Sequence, residues 1–189
     1  MGNLVTNPLI FLIQTILGTY GFFVLLRFIF QLVQVDFYNP VSQFIVTVTA
    51  PVLRPLRTLI PNLDGLDIAS LVLAWFLKVL ELFLVLLLMG YFRLGVVVWA
   101  IPELVEMVFN IFIIAILIQV VMSWIFPGGA FNPVLILIED LAEPVLRPAR
   151  QLIPPFEGLD FSPMLATVAL IFLRMLLVPI LKALTGSPF

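Results

Sequence analysis

The sequence predicts an all-α membrane protein: four transmembrane helices in two tandem parallel repeats, each with a proline-kinked amphipathic interfacial helix between its two spans. Three observations lead there. The 189 residues are 63% hydrophobic and 11% charged, whereas a soluble domain is about half apolar and about a quarter charged. A surface with so few charges must be covered largely by lipid. Four runs are apolar over the roughly 20 residues that a spanning helix needs. Finally, the segment PVLRPLRTLIP at 51–61 returns as PVLRPARQLIP at 144–154.

The first span is expected from Pro8 to Val33. The stretch MGNLVTNPLIFLIQ has no basic n-region and no clean small-residue cleavage site, so this helix reads as retained rather than removed. The second span is expected over Ile68–Phe92, the third over Pro102–Phe126 and the fourth over Pro163–Leu184.

The stretches between spans one and two, and between three and four, are different. In residues 134–153 the apolar positions Val134, Ile138, Leu141, Ala142, Val145, Leu146, Ala149, Leu152 and Ile153 follow helical spacing. Glu139, Asp140, Glu143, Arg147 and Arg150 fall on another face, with Glu143 four residues before Arg147. Pro144 and Pro148 lie inside this pattern and predict a kinked or two-piece helix, because proline removes an N–H and restricts the preceding residue. Such a helix is too polar to span and suits the membrane surface.

Asn39–Asp67 aligns on Asn132–Asp160 without a gap, with 16 of 29 positions identical. This is a duplication, with repeats at 1–93 and 94–189. Each repeat crosses twice, so the two share one orientation. Arg54, Arg57, Arg147 and Arg150 lie in the linkers and place them on the cytoplasmic side, with both termini outside.

Two copies of PVLRPxRxLIP followed by GLD, each leading into a span, resemble the YggT family of small integral membrane proteins. The resemblance covers essentially the whole chain. It implies a cytoplasmic (inner) membrane location in bacteria, and a link to osmotic-stress tolerance and ion uptake. Plastid and cyanobacterial members imply roles in nucleoid distribution, division and assembly of a membrane cytochrome. This breadth implies an organising or assembly factor. The first copy departs from the pattern: it reads GLDIAS, where the second has GLDFSP.

Several functional classes are excluded by composition. A net charge of −2 argues against a nucleic-acid footprint. The chain has no His and no Cys, so disulfides, thiol catalysis and metal ligation by these groups are absent. No phosphate loop, nucleophile elbow or metal-ligand spacing is present, so no enzyme activity, metal or cofactor is expected.

The candidate residues fall into three groups. Arg54, Arg57, Arg147 and Arg150 are candidates for docking membrane lipids or other membrane proteins, self-association included. Topology alone asks only for positive charge nearby, not for a fixed register of arginine against proline. Asp64, Asp67, Glu157 and Asp160 are candidates for pairing with these arginines or for helix caps. Ser162-Pro163 reads as N-cap and first turn, which leaves Asp160 freer.

Lys78, Glu81 and Arg174 form the third group, intramembrane ionisable residues that are costly without a partner. Glu81 and Arg174 occupy equivalent positions ninety-three residues apart, so a pseudo-two-fold would bring them together. Lys78 could share the Glu81 carboxylate. Arg27 reads as a snorkelling side chain. Ion or osmolyte transport along Lys78, Glu81 and Arg174 is the alternative function, and an enzyme acting on lipid headgroups is a third.

Overall fold

The computed structural model describes residues 2–60, 65–125, 132–153 and 160–188, with side chains from residue 5. The described residues form six helices: α1 (Gly2–Val33), α2 (Pro40–Leu59), α3 (Ile68–Leu88), α4 (Val96–Ile125), α5 (Pro133–Leu152) and α6 (Ser162–Thr185). Of these, α1, α3, α4 and α6 are long and apolar enough to cross a membrane. The chain is therefore a multi-pass membrane protein. The second span ends at Leu88 rather than Phe92, because Gly90 terminates it with φ 82° and the Tyr91 N–H returns to the Leu86 carbonyl. The third begins at Val96, ahead of the expected Pro102. Pro102 lies within the helix's second turn.

The linkers are helices α2 and α5, which begin and end at equivalent positions of the two copied segments. Each starts on Asn-Pro. The Asn39 side chain accepts from the Val41 N–H at 3.0 Å, and Asn132 accepts from Val134 at 2.9 Å. Proline follows at the first helical position, where its missing N–H leaves nothing unpaired.

Neither linker is in two pieces. Each helix runs unbroken through its internal prolines, Pro51 and Pro55 in α2 and Pro144 and Pro148 in α5. The reason is placement. The prolines are four apart and all four are exposed, so the carbonyls they orphan open outward, where water or headgroups can reach them. The opposite face of α2 buries Ser42, Ile45, Thr49 and Leu53, a stripe at helical spacing.

The most extensive packing is α1 on α3 and α4 on α6. Between transmembrane helices this packing rests on close approach rather than on exclusion of water. Gly18 on α1 faces the Glu81 carboxylate of α3, at ordinary contact distance for a Cβ built there. Helix α4 packs against both α3 and α6, and α3 makes no contact with α6. The linkers touch each other where they begin, and the Asn39 amide donates to the Pro133 carbonyl at 2.6 Å.

Candidate functional site

The second arginine of each linker, three residues after the first, is paired with the aspartate of GLD. Arg57 bonds Asp67 through Nη2. Arg150 reaches Asp160 through Nε at 3.2 Å. The residues are ten apart in both copies. The carboxylate also accepts from the start of the following span, and in the first copy it is the helix N-cap. Asp67 accepts from the Ser70 N–H at 3.3 Å and from its hydroxyl at 2.5 Å. Asp160 accepts from the Ser162 N–H at 2.9 Å. One arginine–aspartate pair thus ties the end of each linker to the start of the next span, and this accounts for the register of Arg57 and Arg150 against their prolines.

Asp160 is therefore not freer than Asp67. Ser162 is the first residue of α6 rather than its cap; Phe161 precedes the helix without a side-chain cap bond, and the Ser162 N–H is taken by Asp160. Both carboxyls are held below their ordinary range. In each case burial pushes the carboxyl up, but for Asp67 the hydrogen bonds from Arg57 and Ser70 and the Arg57 charge outweigh it. For Asp160 the bonds from Ser162 and Arg150 do so. Asp64 and Glu157 lie outside the described residues.

The environments of the two pairs differ. Asp67 has no exposure, and a second arginine, Arg27 of α1, approaches it at 3.9 Å. Arg27 does not snorkel. It is 7% exposed, and its Nη1 donates to Thr49 Oγ1 at 2.7 Å and to the Val46 carbonyl at 3.1 Å. Helix α2 lies across the end of α1 and supplies acceptors that replace water. In the second copy the place of Arg27 is taken by Val120. There Arg150 also pairs with Glu143 at 2.7 Å, and both members of its Asp160 pair are about one-third exposed. Glu143 thus pairs with Arg150 and not with Arg147: two turns of helix bring residues seven apart onto one side, and Arg150 is already held there by Asp160.

Arg54 and Arg147 are left over. Both are exposed, and neither bonds any described residue. They share the outward face with the prolines.

Glu81 and Arg174 do not meet, because α4 stands between α3 and α6. Glu81 pairs with Lys78 at 2.9 Å, one turn away on its own helix, and both side chains are largely buried. Arg174 donates to Asn110 Oδ1 of α4. Asn110 is uncharged and stands among apolar residues, so no sequence signal marked it. Further along α4 and α6, Lys182 reaches Glu103 at 3.1 Å and Glu106 at 3.2 Å. Among the described residues no cluster of His, Cys, Asp or Glu has the composition of a metal site.

Comparison with known proteins bears on the whole chain. The CCB3/YggT family model matches twice, over residues 6–88 and 98–181. The uncharacterized protein PA0392 of Pseudomonas aeruginosa is 44% identical over 183 residues, covering 95% of this chain and 92% of that one. The uncharacterized protein YggT of Escherichia coli is 35% identical over 184 residues, covering 96% and 94%. A Vibrio alginolyticus protein, described only by its position in the proC 3′ region, is 34% identical over 176 residues, covering 90% and 94%. No solved structure matches the chain. With two family matches and relatives along nearly its full length, the chain belongs to the CCB3/YggT family.

Proposed function

We propose that this protein is a non-enzymatic organising or assembly factor of the bacterial cytoplasmic membrane. Its two repeats, 1–93 and 94–189, share one orientation. Helices α2 and α5 lie on the cytoplasmic surface with both termini outside. Arg54 and Arg147 dock lipid headgroups or other membrane proteins, and osmotic-stress tolerance depends on that docking. The observation that carries this reading is a division of labour among four arginines. Arg57 and Arg150 each hold an internal carboxylate partner, while Arg54 and Arg147 occupy equivalent outward positions without a protein partner among the described residues. An exposed guanidinium at the membrane surface contributes on the order of 1 kcal/mol to binding an anionic leaflet.

The test is the double variant Arg54→Gln/Arg147→Gln, expressed at normal level and checked first for insertion. Loss of crosslinked membrane partners or of retained anionic lipid, together with sensitivity to osmotic shock, supports docking. A variant that inserts normally and keeps its crosslinks, its lipid and its tolerance removes the reading.

A second reading is ion or osmolyte transport. Its support is the buried Lys78–Glu81 pair inside α3, a costly feature for a helix that only anchors. Purified protein in liposomes decides between them: a flux abolished by Glu81→Gln favours transport, and no flux for any ion or osmolyte supplied leaves the organising role.

A further inference from the structure

We infer that the first repeat carries a phosphate-binding pocket that the second repeat lacks, between the last turns of α1 and helix α2. A cavity of about 600 Å³ lies there, lined by Arg27, Gln31, Phe37, Gln43, Thr47 and Arg57. Its volume falls in the range of small-ligand sites. Among the described residues two guanidinium groups face a single carboxylate, Asp67, which gives those three groups a net charge of +1 beside a low-dielectric bundle. An excess charge so placed favours an anion.

The donors are arranged for one. Arg27 commits Nη1 to α2, and Arg57 commits Nη2 to Asp67. The Nη2 of Arg27 and the Nη1 of Arg57 bond no described residue, and the Nε of Arg57 is buried without an acceptor. Two adjacent guanidinium groups with free N–H donors match the oxygens of a phosphate group.

The second repeat keeps the arginine–aspartate pair and changes the groups around it. Val120 stands for Arg27, Glu139 for Val46 and Asp140 for Thr47. Arg150 is opposed by both Glu143 and Asp160, which gives those three described groups a net charge of −1. The copied frame has been kept and the charge inverted, so only one of the two linkers offers an anion site. This site uses neither Arg54 nor Arg147, and it goes beyond the docking role proposed for them. The phosphate belongs either to an anionic lipid headgroup or to a free phosphate ion.

The test is binding to the full chain, measured by native mass spectrometry and thermal midpoint in phosphatidylcholine, with phosphatidylglycerol or inorganic phosphate added. Wild type and the Arg54→Gln/Arg147→Gln variant are used, so that the outward arginines do not contribute. Thr47 is exposed, and the second copy carries Asp at its place, so Thr47→Asp should fold. It should weaken binding about fivefold in both backgrounds, the factor that one charge at a membrane surface carries, while Asp140→Thr leaves binding unchanged. Phosphatidylglycerol binding without phosphate binding identifies a headgroup site; binding and stabilisation by phosphate alone identify a free-ion site. Equal affinities for wild type and Thr47→Asp, or no preference for either probe over phosphatidylcholine, overturn the inference.

Discussion

Replacing Asp67 with Asn perturbs the most buried ionic cluster at the linker side of the molecule, and the second copy supplies its own control. Asp67 is fully buried and serves Arg57, Arg27 and the first turn of α3 at once. Asn keeps an oxygen for the Ser70 N–H, so the cap is largely retained and the loss is ionic. Removing one partner of a buried charge cluster costs about 3–5 kcal/mol, because the remaining charges stay behind uncompensated. The equivalent change, Asp160→Asn, touches a pair about one-third exposed at each member and should cost at most about 1 kcal/mol. For a chain of this size 1 kcal/mol moves a thermal midpoint by about 2–4 °C. Asp67→Asn is therefore expected to lower the midpoint by about 6–20 °C, and Asp160→Asn by less than about 4 °C. Tryptophan fluorescence of the detergent-solubilised protein during heating reads both. Equal shifts would refute the claim that the two copies differ in burial of this pair. A larger shift for Asp160→Asn would refute the structural account of the first cluster.

Acid should act on the same groups. The folded pKa values of Asp67 and Asp160 are depressed, so their stability is fully present above the unfolded value of about 3.9 and is lost as pH falls through the folded values. Midpoints measured from pH 6 downward should drop in that acid window for wild type and less steeply for Asp67→Asn; a parallel drop in both would argue against Asp67 as the titrating group. Exchanging charges as Lys78→Glu/Glu81→Lys should recover stability lost in either single change, because the two face each other on α3. Exchange between Glu81 and Arg174 should recover none, and rescue there would mean that α3 and α6 meet. Helix α1 ends with exposed Gln34 at φ 61°, a conformation that costs an L-residue about 1 kcal/mol relative to glycine. Gln34→Gly should raise the midpoint by a few degrees, and a fall would show that the Gln34 side chain contributes a contact.

How far the sequence speaks for the fold depends on whether a signal is local. Four spans and two linkers follow from periodicity and length, to within about six residues at each span end. The linkers' continuity does not. Proline reads as a breaker along the chain, and only the fold shows Pro51, Pro55, Pro144 and Pro148 together on an outward face. The candidate site was legible where it was copied: aspartates Asp67 and Asp160 stand ten residues beyond Arg57 and Arg150, and pairing was an expectation. It was not legible where partners come from different helices. Arg27 needs α2 to lie across it before Thr49 and Val46 become acceptors. The pairing expected for Glu81 and Arg174 assumed that equivalent spans touch. The interposed α4 gives Arg174 to Asn110 instead.

In the proposed role the linkers present Arg54 and Arg147 to the membrane surface while the residues beside them face inward. A photo-reactive residue placed at Arg54, Leu53, Arg147 or Leu146 in the full chain, irradiated in native membranes, measures this directly. Leu53 and Leu146 occupy equivalent positions and are 1% and 0% exposed. Lipid or partner-protein adducts are expected from positions 54 and 147, and only intramolecular products from 53 and 146. Adducts no more abundant at 54 and 147 than at the buried pair would contradict it.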